Sequence, residues 1–167
     1  MIDSFYDIKP LEDWLKEESG LICQNENAFV TLNTVPSAFG HSLVIPKRKV
    51  YKATDLTPQE IWNLQKAKET GLEQLHFLIN ENPDRILRQY QLWIEDAAMN
   101  ARLPCRDRIS GVTPDLDQGP FYGQANIFEN QGQDAGQMIR HYHIQIVPRF
   151  RQELGGGGAA FFEYLHK

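Results

Sequence analysis

The apolar positions change period several times along the chain. Residues 9–18 place Leu11, Trp14 and Leu15 at i, i+3 and i+4 and run into Ser19-Gly20, which predicts a short helix with a stop. Residues 28–33 read as a strand, residues 34–40 as a turn-rich link, and His41-Ser42-Leu43-Val44-Ile45-Pro46 as a second strand. Pro46 and the basic cluster Lys47-Arg48-Lys49 end it, and the short link predicts antiparallel neighbours.

The period then becomes helical. In Thr57-Pro58-Gln59-Glu60, threonine suits the N-cap, proline the first helical position and glutamate the third, which completes a capping box. The helix is expected to run to about residue 80 with Ile61, Leu64, Leu72, Leu75 and Ile79 facing a core. A second helix is expected from Pro83 to about Ala101, with Ile86, Tyr90, Trp93, Ile94 and Ala97 on one face. Residues 102–123, rich in Pro, Gly and Asp, read as a long loop. Two more strands are expected near 124–130 and 139–147. A flexible glycine-rich tail at 151–167 carries Gly155-Gly156-Gly157-Gly158 but no P-loop ending.

Composition narrows the partners more than the fold. The 167 residues carry 17 Lys+Arg against 22 Asp+Glu, a net charge of −5, which argues against bulk binding to long nucleic acid or an anionic membrane. A small pocket for one phosphorylated ligand stays compatible with that charge. Cys23 and Cys105 have no CxxC spacing, and two reduced thiols are expected. Neither a leader pattern at Met1-Ile2-Asp3-Ser4 nor a membrane-length apolar run is present, so a soluble, cytoplasmic protein is expected.

Candidate chemistry concentrates in Arg140-His141-Tyr142-His143-Ile144-Gln145-Ile146-Val147-Pro148-Arg149. On a strand, His141, His143 and Gln145 share one face, with Tyr142, Ile144 and Ile146 on the other. A His-x-His pair on one face admits three readings: ligation of a metal, nucleophilic attack by one imidazole on phosphorus, or histidines that merely satisfy a sheet face. No HExxH, DxH or CxxC pattern supplies a third metal ligand.

The segment resembles the active-site strand of the histidine triad (HIT) family of nucleotide hydrolases and transferases, whose pattern is His-φ-His-φ-His-φ-φ with φ hydrophobic. Here it stands as His141-Tyr142-His143-Ile144-Gln145-Ile146-Val147. Asn126-Ile127, Asn130-Gln131-Gly132 and Ala135-Gly136-Gln137 resemble the approach to that motif. Asn33, Pro36 and Gly40-His41-Ser42-Leu43-Val44-Ile45-Pro46-Lys47-Arg48 resemble the first-half signature. Gln145 in the third position is similar to the uridylyltransferase and dinucleoside polyphosphate phosphorylase branch, and Met138 replaces a usual Ser or Thr.

The resemblance implies an α+β, HIT-like fold: a five-stranded antiparallel sheet with flanking helices in one domain over residues 1–150, carrying an insertion at about 83–123. It implies a homodimer and a small-molecule nucleotide substrate. His143 would attack the α-phosphorus of a dinucleoside polyphosphate, a nucleoside phosphoramidate or a nucleotide sugar, forming a nucleotidyl-histidine that water or another acceptor resolves. His141 would donate to the phosphate or leaving group, and Gln145 would donate an amide hydrogen bond without transferring a proton. Asn33, His41, Asn130 and Gln137 would line the substrate site, Asn33 near the ribose. No cofactor and no bound metal are required, although a divalent cation such as Mg2+ accompanies polyphosphates. The competing expectation is a nucleotide-binding protein with weak or no catalysis.

Overall fold

The computed structural model describes residues 1–113 and 119–150; the expected glycine-rich tail at 151–167 lies outside them. Strands β1 (Leu21–Gln24), β2 (Ala28–Leu32), β3 (Ser42–Pro46), β4 (Ala125–Phe128) and β5 (Ile144–Pro148) form one antiparallel sheet in the order β1-β2-β3-β5-β4. Helices α1 (Leu11–Trp14), α2 (Pro58–Glu81), α3 (Pro83–Glu95), α4 (Ala97–Asn100) and α5 (Cys105–Val112) flank it. The α+β class and the five-stranded antiparallel sheet are as expected.

Every residue of β2 and β3 is buried, because the sheet is covered on both faces. On one face Ala28, Val30, Val44, Ile144 and Ile146 pack with Leu64, Ala67, Leu75 and Ile79 of α2. On the other, Phe29, Leu43 and Ile45 pack with Phe5, Trp14 and Ile139, so the N-terminal segment closes the second face. Each large apolar side chain removed from water in this way contributes about 1.5–3 kcal/mol.

The capping box that opens α2 forms as expected: Thr57 Oγ1 accepts from Glu60 N at 3.2 Å, and Glu60 Oε2 accepts from Thr57 N at 2.8 Å. Ile61, expected in the core, is 42% exposed, and the buried stripe of α2 begins one turn later at Leu64. The first helix is shorter than expected. The Ser19 hydroxyl turns back onto the carbonyls of Trp14 (2.8 Å) and Lys16 (2.7 Å) and ends the segment in a 3-10 turn.

The expected helix over 83–101 breaks at Asp96, whose ψ of 98° is extended and whose carboxylate caps Met99 N at 2.9 Å to start α4. Ala97 is therefore exposed. The expected loop at 102–123 contains α5, with Cys105, Ile109 and Val112 buried at i, i+4 and i+7. Strand β1 has no counterpart among the expected elements. Both cysteines are reduced.

The expected strand at 139–147 begins only at Ile144. Upstream of it the backbone pairs elsewhere: Arg140 N and His141 N donate to the carbonyls of Ile2 (2.9 Å) and Asp3 (3.1 Å), and Tyr142 N to that of Val50 (2.7 Å). Residues 139–143 are thus held between the chain's first residues and the segment after β3, outside the sheet ladder.

Helix α2 approaches β2 closely at Gly71, where a Cβ would stand 2.9 Å from both Cγ atoms of Val30. Alanine is worth about 1 kcal/mol over glycine inside a helix, but overpacking a core costs about 1–3 kcal/mol. Val30 is β-branched and central in the sheet, so the clash prevails. Gly71→Ala should lower the unfolding free energy in urea by about 1–2 kcal/mol. Combined with Val30→Ala it should lose less than the sum of the two single changes; strict additivity would show that the close approach is not the cause.

Candidate functional site

The first residues of β5 set the geometry. Ile144 and Ile146 point to α2, and Gln145 points to the opposite face, paired across the sheet with Leu43 and Phe128. His143, just before the strand, is 8% exposed, and its Nδ1 lies 2.8 Å from the carbonyl oxygen of His141. A carbonyl only accepts, so Nδ1 carries the proton and Nε2 keeps its lone pair. Burial holds the His143 pKa below its ordinary value, opposed by that hydrogen bond and by the nearby Glu129 carboxylate.

His141 has no exposed surface. Its Nε2 lies 3.1 Å from the Pro46 carbonyl and therefore donates, which leaves Nδ1 to accept from the Ser4 hydroxyl at 3.2 Å. Burial pushes its pKa down to about 4. In this placement both ring nitrogens of His141 are engaged inside the protein, by the Pro46 carbonyl and the Ser4 hydroxyl. The same engagement disfavours a His141–His143 metal pair. Among the described residues no group of three or more His, Cys, Asp or Glu side chains is placed to hold a metal ion.

His41, 1% exposed, sits where the turn before β3 ends. Ser37 N donates to its Nδ1 at 3.0 Å, so the proton resides on Nε2. The ring also hydrogen-bonds the Gln145 side chain, and with Nε2 as donor the amide oxygen of Gln145 is the acceptor. The amide nitrogen of Gln145 is left as the donating end. Burial pushes the His41 pKa down to about 3, with the neighbouring His143 and Arg149 acting the same way. Asn33 Nδ2 lies 3.3 and 3.5 Å from the two ring nitrogens of His41, and its Oδ1 accepts from Val35 N at 2.9 Å. Gly40, at φ +77°, donates its N–H to the Tyr90 hydroxyl at 3.1 Å, so α3 braces the turn that carries His41.

The structure thus brings together Asn33, His41, His141, His143 and Gln145. Gln137 is turned into its own loop, accepting from Gly132 N at 2.8 Å and donating to the Arg140 carbonyl at 3.1 Å. Asn130 is half-buried two residues past β4, where the Phe128–Gln145 pairing extends toward His143. The basic cluster after β3 faces elsewhere: Lys47 contacts Gln24, Arg48 pairs with Glu60, and Lys49 pairs with Asp3. The His141 ring instead meets the carbonyl of Pro46, the last residue of β3. Sequence reasoning missed Ser4, Phe5, Ser37 and Glu129. The Ser4–Asp7 capping box is local, and nothing in it points to a histidine 137 residues away.

Residues 15–152 match the family described as HIT domain. The bis(5'-adenosyl)-triphosphatase of Dictyostelium discoideum is 28% identical over 137 residues, covering 81% of this chain and 64% of that protein. A 16.1 kDa HIT-like protein of Mycoplasma pneumoniae is 28% identical over 134 residues, covering 79% and 63%. The chain therefore spans less than two thirds of the length of these two relatives. A crystal structure of a HIT family protein from Bacillus anthracis superposes with a TM-score of 0.48 at 18% identity, covering 80% of this chain and 66% of that one.

Three histidines with depressed pKa values couple stability to pH. The folded state keeps His41 and His141 neutral down to about 3 and about 4. The unfolded chain takes up protons from about 6.5 downward, so stability is full above that value and is lost as pH falls toward the folded values. At pH 5 each of these two histidines should cost up to about 2 kcal/mol relative to neutral pH. Urea unfolding at pH 7.5 and pH 5 measures the difference; equal midpoints at the two values would contradict the buried neutral assignment.

Proposed function

The chain belongs to the HIT domain family, and on that premise we propose that it is a nucleotidyl hydrolase or transferase acting on the α-phosphate of a nucleotide through a covalent intermediate on His143. The observation that carries the reading is the 2.8 Å contact of His143 Nδ1 with the His141 carbonyl, which commits the proton to Nδ1 and leaves Nε2 nucleophilic. Nε2 attacks the α-phosphorus, the bond to the leaving group breaks, and water or another acceptor then displaces the imidazole.

Gln145 serves the phosphate with the donating end of its amide, turned outward by the hydrogen bond with His41. Asn33 and His41 support that orientation, and Asn33 lies where a ribose hydroxyl would be met. Asn130 belongs to the phosphate side of the site, and Gln137 shapes its loop. His141 acts through its backbone carbonyl on His143.

None of His41, His141 and Gln145 is a proton donor of useful acidity, so the site suits leaving groups that depart without one. A phosphate or polyphosphate departs in this way and a free amine does not. This favours a dinucleoside polyphosphate or a nucleotide sugar over a phosphoramidate, and of the first two the dinucleoside polyphosphate is in keeping with the similarity to a bis(5'-adenosyl)-triphosphatase. The protein supplies no cofactor to this chemistry, and a divalent cation such as Mg2+ enters with the polyphosphate. Glutamine as the third member is the feature shared with the uridylyltransferase and phosphorylase branch. β4 is an edge of the sheet, with Ile127 42% exposed, and a second copy pairing along it would make the homodimer.

Incubation with a labelled dinucleoside polyphosphate and an alkaline quench should leave label on His143, because phosphoramidates survive base. His143→Ala should lose turnover by a factor of about 10^4 or more while staying folded. Undiminished turnover in that variant excludes the mechanism, and tight nucleotide binding without turnover in the unaltered protein would leave a binding protein instead. Adding labelled inorganic phosphate separates the acceptors: label carried into a nucleoside diphosphate marks the transferase, and a nucleoside monophosphate with no label marks the hydrolase. Sedimentation equilibrium should give twice the chain mass, and a single-chain mass would refute the dimer.

A further inference from the structure

Residues 2–6 lie outside the part of the chain that matches the HIT domain family, which begins at residue 15, yet they touch both histidines of the site. The Phe5 ring stands edge-on to His143 at 5.2 Å and 85° and packs against His141 at 5.6 Å. Tyr6 meets the His141 ring at 5.2 Å and 77°. The Ser4 hydroxyl, 1% exposed, is 3.2 Å from His141 Nδ1 and accepts from Tyr6 N at 3.2 Å.

The segment is anchored at both ends. Ile2 bridges to Ile139 in parallel, and the carbonyls of Ile2 and Asp3 receive Arg140 N and His141 N. The Asp3 carboxylate takes Lys49 Nζ at 2.5 Å and the Tyr51 hydroxyl at 3.0 Å, and lies 3.4 Å from Arg140 Nη1. The Tyr6 hydroxyl donates to the Lys47 carbonyl at 2.5 Å.

We propose that residues 2–6 are a clamp that keeps the nucleophilic imidazole dry and in place, Phe5 by covering the His143 ring and Ser4 by locking the His141 whose carbonyl holds His143 Nδ1. The inference rests on His143 being the nucleophile. The physical reason is desolvation. Water around an imidazole stabilises its cation, and a ring walled by an apolar aromatic stays neutral to lower pH, where Nε2 can attack. The charged and titratable groups facing His143 from the surrounding elements are His141, His41 and Glu129, with Arg149 beyond His41. Of these, Glu129 works against neutrality, which leaves burial to maintain it. Phe5 and Ser4 are positioning residues: neither needs to touch substrate.

The test is an NMR titration of the His143 ring in the full chain, assigned with His143→Ala, alongside kcat and KM against pH. In the unaltered protein the His143 midpoint should lie below 6.5. In Phe5→Ala it should move up toward 6.5, with the acid limb of kcat/KM moving the same way, and Phe5→Leu should fall between. Phe5→Leu retains apolar bulk and keeps the test open where the alanine variant unfolds. Ser4→Ala should lower kcat by about tenfold with little change in KM, and Ser4→Thr should restore it. An unchanged His143 midpoint in the folded Phe5 variants overturns the proposal. Since the titration needs no substrate, it decides the clamp even where loss of the covalent label would refute the nucleotidyl reading.

Discussion

The 2.8 Å hydrogen bond from His143 Nδ1 to the His141 carbonyl organises the corner where Asn33, His41, His141, His143 and Gln145 meet. It exists because residues 139–143 leave the sheet. Were His141 a ladder residue, its carbonyl would be directed at a neighbouring strand. Instead the backbone there is held by Ile2, Asp3 and Val50, and the carbonyl is left to a side chain. The rest of the site arranges itself around that constraint, with His141 locked between Pro46 and Ser4 and its ring fully withdrawn from solvent. A bond to a carbonyl is directional in both senses: it orients the ring and it selects the tautomer.

A second relay runs in parallel and uses no exposed charge. The N–H of Ser37 selects the tautomer of His41, and His41 in turn selects which end of the Gln145 amide faces outward. Behind it stand Gly40 and the Tyr90 hydroxyl, so a helix distant in sequence braces the turn that carries His41. Phe39 packs edge-on against Tyr90 at 5.7 Å, and this aromatic pair ties α3 to the same turn. The segment beginning at residue 83 therefore has a structural connection to the site as well as a share in the core.

Legibility in the sequence followed how local the cause was. The start of α2 was legible because Thr57, Pro58 and Glu60 satisfy the orphan amides of their own first turn. Strands β2 and β3 were legible as apolar runs between turns. The break at Asp96 and the helix α5 were not. A single capping carboxylate outweighed a continuing apolar stripe in one, and a three-residue stripe was hidden among Asp, Ser and Gly in the other. For His141 the alternation of faces held although the strand begins only at Ile144: Phe5 packs on both His141 and His143, while Tyr142 packs with Ile144 and Ile146, and what was not legible was what the His141 ring bonds to.

By itself the sequence determined the class of the fold, the antiparallel pairing of β2 with β3, and the residue types gathered in the site. These depend on periodicity, turn chemistry and motif, all carried by neighbours along the chain. Tertiary structure alone decided which ring nitrogen of each histidine carries the proton, how deeply each ring is buried, and that the first residues of the chain pack against His141 and His143. Tautomer, burial and ionisation are set by groups far apart in sequence: Ser4 meets His141 across 137 positions, and His141 meets the Pro46 carbonyl across 95. No pattern of neighbours encodes such contacts, because they form only when the sheet and the segments covering its two faces are in place.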